Sequence, residues 1–404
     1  MLFNFGSYSS LLLIFFVHGV VYCILLFAKS FTTQAQANRW LSFFLLVCIL
    51  YIFPWMVGFA GWYSNQPYRD ILFYTPFQHL FLLGPIVYFY VQSVLNPSFR
   101  FNQKDWLHFI PAIIYLMYCI IIVVYDRLII KDYYFLEDGQ DRDFDTWYQL
   151  AGFVSMLTYF IISIRYYNLY KKLAFQVISY AHSVTFSWVR NFLLAVAGFL
   201  ILRLILFVAN ELYQMRYIDV WWYFLAFSIA FYYVAINGYA NSVVSKIHFK
   251  PNLLSLKPQL LLPYSLHSTV NTVAEGDYIA IDVAPILQQP NDALLLWKTK
   301  ITDTVVTQKL YEEPELSLLD VAKKLQTNVT VLSKAVNQGF GMNFNDFVNY
   351  YRVKAFEQLA LQGEHKQQTL LSMAYECGFN SKATFNRAFK KVRGTTPKEW
   401  IESI

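Results

Sequence analysis

Seven apolar stretches fill most of the first 240 residues of this chain. A helix needs about 20 apolar residues to cross the ~30 Å hydrocarbon core of a bilayer, because lipid satisfies no backbone polar group. The chain is 57% hydrophobic and 14% charged, whereas soluble globular proteins carry about 25% charged residues. Residues 1–241 are therefore predicted to form an all-α, seven-helix transmembrane bundle, with spans near 10–28, 40–60, 71–95, 107–125, 147–169, 191–210 and 220–240.

Charged residues are divided unevenly among the loops that join these stretches. The loops after the first, third and fifth stretches are basic, whereas the alternate loops hold ten acidic and five basic residues. Basic loops remain in the cytoplasm. We therefore expect a multi-pass protein of the inner (cytoplasmic) membrane, in contact with lipid, whose N-terminus is outside and whose C-terminus is in the cytoplasm.

One arginine, Arg203, lies inside the sixth apolar stretch. A charge within a bilayer is costly, and such residues are functional candidates by default. One hypothesis is that Arg203 faces the interior of the bundle and binds an unknown anionic ligand or a polar group of a partner. The alternative is a structural residue that is hydrogen bonded to tyrosine, asparagine or backbone carbonyls.

Prolines punctuate residues 242–290, which we expect to form a juxtamembrane linker with a short strand near 278–283. A helix is predicted from about residue 291 to residue 311. Its apolar stripe either packs onto the domain that follows or forms a dimer or signalling helix. The stripe consists of Leu294, Trp297, Ile301 and Val305.

Residues 318–400 contain one structural pattern twice. Each copy has apolar residues at i, i+3, i+4 and i+7, a tight turn, and a second apolar-faced helix closed by glycine. This is the pattern of a helix-turn-helix, whose second helix enters the major groove of DNA. The units are predicted at about 317–341 and 369–394, because Leu318, Val321, Ala322, Leu332, Val336 and Gly341 recur as Leu370, Met373, Ala374, Phe385, Phe389 and Gly394.

A longer helix, from about Asn345 to Leu361, is predicted between the two units. At 1.5 Å per residue it separates them by roughly 25 Å. That length allows the two second helices to enter successive major-groove segments, which lie about 34 Å apart. We expect the fragment from Asn291 to Ile404 to fold without the membrane half.

The chain from about Leu310 to Ile404 resembles the AraC/XylS family of transcription regulators. The resemblance implies a DNA-binding domain of two helix-turn-helix units joined by a long helix, here behind a membrane sensor domain rather than the soluble sugar-binding domain of many members. One departure is Gln326 in the first turn, where many members have glycine. The residues that match the family pattern include Phe347, Arg352, Ala355, Ala374, Gly378, Phe379, Ser381, Phe385, Arg387, Phe389, Lys390, Gly394 and Pro397.

Helix geometry and this resemblance together select the side chains expected at double-stranded DNA. Arginine can donate to guanine and asparagine can pair with adenine, so Arg387 and Asn386 are the candidates for base contact. The lysines of the second unit are expected to hold phosphates, which position a protein without reading sequence. For each residue the alternative is a phosphate contact or a solvated surface position. The full predicted set is Thr330, Ser333, Lys334, Asn337, Lys382, Asn386, Arg387, Lys390 and Lys391.

We therefore expect a membrane-embedded, sequence-specific DNA-binding regulator that couples a signal to gene expression. The alternative is a seven-span receptor whose tail docks a protein partner. The duplicated second helices, of which the later one is strongly basic, favour DNA. No phosphate loop, metal triad or nucleophile–base arrangement stands out, and the cysteines show no metal or disulfide spacing. We expect no enzyme activity, cofactor or metal.

Overall fold

The computed structural model describes residues 4–33, 35–136, 145–181, 187–213, 215–241 and 292–404. Helices and the turns between them make up this part of the chain, and no strand is found in it, so the predicted all-α class is confirmed. The chain divides into two compact units. The apolar unit comprises Met1–Tyr167 and Ser187–Lys246, and the C-terminal unit comprises Asn168–Phe186 and Ile247–Ile404. The predicted linker, with its strand near 278–283, lies outside the described residues.

The apolar unit is built from long helices that are hydrophobic along most of their length. One of them, α5, continues into other helical forms at both ends, since a 3-10 helix at Gln103–Phe109 precedes it and a π-helical turn at Val124–Ile130 follows it. The α-helices are α1 (Ser7–Thr32), α2 (Gln36–Gly58), α3 (Tyr68–Tyr74), α4 (Leu80–Leu95), α5 (Ile110–Val123), α6 (Asp145–Val177), α7 (Ser187–Tyr213) and α8 (Trp221–Ala240).

Six helices of the described chain are long and apolar enough to cross a membrane. The exception is the predicted stretch 71–95, which is divided into α3 and the 16-residue α4. The break follows from Pro76, because proline disfavours the α conformation in the residue before it. Thr75 is accordingly extended, with φ −95° and ψ 123°.

Helix α2 lies at the centre of the apolar unit and packs against α1, α4 and α8. Most of its side chains are buried, including Phe44, Ile52 and Met56. The outward faces of α1, α5 and α7 instead expose large apolar side chains. Examples are Ile24 at 61%, Ile114 at 60% and Leu194 at 63% exposure. Soluble monomers rarely expose continuous apolar faces of this kind.

The described part of the C-terminal unit contains seven further α-helices around apolar cores. One core joins Val353 and Phe356 to Met373, Phe385 and Phe389. The helices are α9 (Asp292–Thr302), α10 (Leu318–Lys324), α11 (Val329–Phe340), α12 (Phe344–Leu361), α13 (Leu370–Glu376), α14 (Lys382–Arg393) and α15 (Pro397–Glu402).

Helix α9 lies against α11. Of the predicted stripe, Ile301 lies in α9 and Val305 in the π-helical turn Asp303–Thr307 that follows it, and both are almost fully buried. Lys298 lies over the ring of Phe340, 5.3 Å from its centroid. The stripe therefore packs onto the helices that follow it, which is the first of its two interpretations.

The turns of the two repeated units have the same backbone conformation although their residues differ. Gly378 has φ +87° and Gln326 has φ +50°. In the second unit the Phe379 amide donates to the Ala374 carbonyl at 3.0 Å, and in the first the Thr327 amide donates to Ala322 at 2.9 Å. Gln326 therefore adopts the left-handed conformation that glycine favours, at a cost of about 1–2 kcal/mol.

Candidate nucleic-acid interface

Helix α14 presents a basic face to solvent. It begins at the N-cap residue Ser381, whose side chain accepts from the Thr384 amide at 3.2 Å, and it ends at Gly394 with φ +80°. Phe385 and Phe389 are buried on its inner face. Its outer face consists of five exposed side chains that the sequence selects for DNA: Lys382, Asn386, Arg387, Lys390 and Lys391.

Two of these cations lie beside the start of α12. Lys391 Nζ is 2.7 Å from the Asp346 carboxylate, so part of its charge is neutralised within the protein. Arg387 lines a cavity of about 780 Å³ together with Lys391, Asn345 and Asn349. Arg387 thus has room to extend toward a partner, whereas Lys391 has an alternative partner in its own chain.

The corresponding helix of the first unit, α11, is less exposed. Its N-cap residue Asn328 accepts from the Val331 amide at 2.8 Å. Ser333 and Lys334 are half-buried and Asn337 is exposed, with Asn337 Nδ2 donating to Ser333 Oγ at 3.5 Å. The side chain of Thr330 lies outside the described residues. The predicted face of α11 is therefore only partly open to solvent, whereas that of α14 is open at all five positions.

An ion pair that the sequence did not indicate joins the connecting helix to α14. Arg393 donates through Nε and Nη2 to the buried Glu357 carboxylate, and Lys354 Nζ lies 3.2 Å from the same group. Burial alone would raise the pKa of Glu357, but its bonds to Arg393 and Lys354 hold that pKa below its ordinary value. The pair fixes the end of α14 to α12.

A second group that sequence reasoning missed surrounds Arg352 on α12. This arginine is fully buried. Its Nε donates to the Tyr311 carbonyl at 2.7 Å, and its Nη2 donates to the Glu313 carbonyl at 2.6 Å. Arg352 therefore ties the connecting helix to the segment that precedes the first helix-turn-helix. The family resemblance marked Arg352, but nothing in the sequence indicated these backbone partners.

Arg203, in the apolar unit, is half-buried at the edge of a cavity of about 520 Å³. Its guanidinium donates to the Tyr51 hydroxyl at 2.5 Å and to Gln149 Oε1. Both partners are neutral. Asp145 and Asn210 line the same cavity, together with apolar side chains from α2, α7 and α8. Arg203 is thus hydrogen bonded to a tyrosine, as its structural interpretation predicts, and it also faces a space large enough for a small ligand.

The geometry of the C-terminal unit defines a double helix-turn-helix, in which two capped three-helix arrangements share the 18-residue α12. Residues 321–403 match a family model described as a helix-turn-helix domain. This part of the chain is a helix-turn-helix domain of the AraC type, and the predicted resemblance to AraC/XylS regulators is confirmed for it. Geometry and match together support DNA-binding transcription regulation.

Curated relatives carry the same type of domain. An uncharacterized HTH-type transcriptional regulator from Staphylococcus aureus (strain COL) is 29% identical over 92 residues, which cover 23% of this chain and 12% of the relative. Another uncharacterized regulator of Staphylococcus aureus is 23% identical over 157 residues, covering 37% of this chain and 20% of the relative. The matches thus span no more than a fifth of the relatives. No solved structure matches this chain.

Proposed function

We propose that this protein is a membrane-embedded, sequence-specific regulator of transcription that couples a signal sensed in or across the bilayer to gene expression. The observation that carries the DNA-binding part is the open basic face of α14 at the end of a double helix-turn-helix. Embedding in the membrane is supported by the six helices of membrane-spanning length among the described residues and by the exposed apolar faces of α1, α5 and α7.

The DNA-binding proposal predicts different effects for two neighbours on α14. Arg387→Ala should cost about 1–3 kcal/mol of binding free energy and relax preference at one base position, if Arg387 is bidentate to guanine. Lys390→Ala should weaken binding to all sequences alike and lower the salt slope by about one, because a phosphate contact releases a counterion. The measurement uses the full chain in nanodiscs and duplexes that the wild type selects from a random pool.

Lys366→Ala is the matched control, since Lys366 is exposed and lies outside both reading helices. It should leave affinity and sequence preference unchanged. A wild-type protein that shows no salt-dependent binding to duplex DNA would contradict the proposal, and the alternative of a protein-docking tail would then stand.

For the membrane part we propose a multi-pass protein of the inner (cytoplasmic) membrane with its N-terminus outside and residues 291–404 in the cytoplasm. The basic loops and the acidic loop between Asp126 and Asp145 support this orientation. A reporter that is active only in the cytoplasm should therefore be active when fused after Ile404 and silent when inserted near Gly139. Activity at Gly139 together with silence after Ile404 would rule out the orientation.

We further propose that two copies of the chain associate through α9. Leu295 and Leu296 are 68% and 55% exposed, so α9 carries a second apolar surface beside the stripe that packs on α11. Pairing with α9 of a second copy would bury these two leucines.

Finally, we propose that the cavity beside Arg203 receives the signal as a small anionic ligand with an apolar body. Tyr51 and Gln149, the groups that accept from Arg203, are neutral, so an anionic group that enters the cavity can pair directly with the guanidinium. Arg203→Leu should abolish the response of the protein's target promoters to their inducing condition, while the purified variant keeps wild-type affinity for DNA. Transcription from those promoters is the measurement.

The control for this variant is Arg216→Leu, because Arg216 is exposed at the surface and paired with Asp219. It should respond like the wild type. An Arg203→Leu protein that also responds normally would remove the ligand proposal without affecting the DNA-binding one.

A further inference from the structure

A short segment that follows α6 contacts the rest of the C-terminal unit through one bridge residue, Ile178, and the turn that follows it. Ile178 forms an antiparallel bridge with Ser317, the N-cap residue of α10. The Ser179 amide donates to the Leu316 carbonyl at 3.0 Å, and the Ser179 hydroxyl donates to the same carbonyl at 2.8 Å. We call residues 178–181 the docking segment. It therefore contacts the chain just where the first helix-turn-helix begins.

The other side of the docking segment meets three polar side chains on one face of α12. Asn345 Nδ2 donates to the Ser179 carbonyl at 2.6 Å, and Asn349 Nδ2 donates to it at 3.2 Å. Arg352 Nη2 donates to the Ser179 hydroxyl at 3.2 Å. The spacing 345, 349 and 352 places these side chains along one face of the helix. Together they surround a single residue of the segment with donors.

The three donor side chains on α12 are buried, so they depend on the partners that the docking segment supplies. Asn345, Asn349 and Arg352 are 1%, 4% and 0% exposed. A buried donor that loses its partner costs about 1–3 kcal/mol, and more if it is charged. This face of α12 is thus a binding surface for a short peptide turn, and the chain supplies that turn itself. Ile178 and Ala181 of the segment are correspondingly buried.

The docking segment joins two parts of the reader. It holds Leu316, at the start of the first unit, to α12, which carries the second unit. Phe175, three residues earlier, lines the cavity that also contains Arg387 and Lys391. The hydrogen bonds of Ser179 go to Leu316 and α12, and the five selected side chains of α14 remain exposed. Docking is therefore compatible with DNA binding.

We propose that the docking segment is an internal peptide partner of the DNA-binding domain, and that its docked state is the state with high affinity for DNA. The docked segment fixes the two helix-turn-helix units relative to each other, so its release lowers the affinity for DNA. The segment directly follows Val177, the last residue of α6, and Gln149 of the same helix accepts from Arg203. A signal that acts on α6 can thus reach the reader. This inference rests on the proposed DNA-binding function.

The test uses the full chain in nanodiscs with duplexes selected by the wild type. Ser179→Pro removes the amide and hydroxyl donors and should lower DNA affinity at least about tenfold, within the range of allosteric coupling. Ser179→Ala keeps the amide and carbonyl but loses the hydroxyl that contacts Leu316 and Arg352, so its DNA affinity should lie between that of the wild type and that of Ser179→Pro. Hydrogen exchange at the amides of α10 and of residues 178–181 reports whether the segment has been released.

A reversible cross-link separates release from misfolding. Ile178→Cys and Ser317→Cys are added to Ser179→Pro, since paired residues of an antiparallel bridge lie about 4.5–5.5 Å apart, within the range of a disulfide. Oxidation should restore affinity at least about tenfold, and reduction should remove it again. Equal affinity in the two redox states would overturn the inference, whether both are high or both are low. Wild-type protein that binds no DNA would instead contradict the proposed function itself.

Discussion

Replacing Gly378 by alanine is expected to destabilise the C-terminal unit by about 2–5 kcal/mol. The left-handed conformation of Gly378 costs an L-residue about 1–2 kcal/mol. An added Cβ would also lie 2.5 Å from the Tyr311 carbonyl oxygen and 2.6 Å from that of Glu312, and such overpacking typically costs about 1–3 kcal/mol. Amides of α13 and α14 in the full-length protein should exchange at least about 30-fold faster.

The first unit supplies the matched control at the equivalent position of its own turn. Gln326→Gly should relieve backbone strain and stabilise the unit by up to about 1 kcal/mol, because part of the relief is offset by the entropy that glycine gains in the unfolded chain. Exchange from α10 and α11 should slow by up to about fivefold. An unchanged rate in Gly378→Ala would mean that the second turn is not built as described.

Replacing Arg352 by methionine is expected to cost about 3–5 kcal/mol. Methionine fills much of the same volume but leaves the Tyr311 and Glu313 carbonyls and Asn349 Oδ1 without the donor they share. Each buried polar group that loses its partner costs about 1–3 kcal/mol. The exchange rates of α10 and α12 in the full-length chain measure the effect, and both should rise at least a hundredfold.

Arg352→Lys is the informative companion, since lysine keeps the charge but cannot reproduce the planar fork of donors that reaches two carbonyls at once. The stability of Arg352→Lys should lie between that of the wild type and that of Arg352→Met. If methionine were tolerated as well as arginine, the contribution of this network to stability would be negligible and Arg352 would have to act elsewhere.

The parts of the C-terminal unit that sequence analysis predicted are those governed by neighbours in the chain. The first helices of the two units begin after Ser317 and Thr369, whose side chains each accept from the amide three residues on. Helix ends at Gly341 and Gly394 are left-handed. Each of these features depends on a few consecutive residues, and the same pattern of residues occurs in both helix-turn-helix units. Features of this kind can be predicted from the sequence because each depends on local interactions.

Contacts between distant residues were not predictable in the same way. Asn345 and Asn349 bond to Ser179, and Arg352 bonds to Tyr311. These partners are far apart in the chain, and no repeating sequence pattern relates them. Buried asparagines on a helix carry no sequence signal that distinguishes them from exposed ones. Likewise, Lys391 is a natural candidate for a phosphate contact, and only the fold brings it beside Asp346.

In the apolar unit, too, local features were predictable from the sequence and contacts between distant residues were not. Hydropathy located its helices, because length and composition alone decide whether a helix can span a bilayer. It did not locate the break at Thr75, since an apolar stretch remains apolar when its backbone leaves the helix. Arg203 was selected because it is charged, but its bonds to Tyr51 and Gln149 join three different helices.

The discontinuity of the C-terminal unit limits how this protein can be recombined with others. Residues 168–186 belong to that unit although about sixty residues separate them from Ile247, where the rest of it begins. A chimera that exchanges only residues 291–404 with a relative would pair a foreign α12 with the native Ser179. Asn345, Asn349 and the docking segment would have to be transplanted together. The part that must be exchanged is therefore larger than the helix-turn-helix domain and includes residues 178–181, which precede α7 and α8 in the chain.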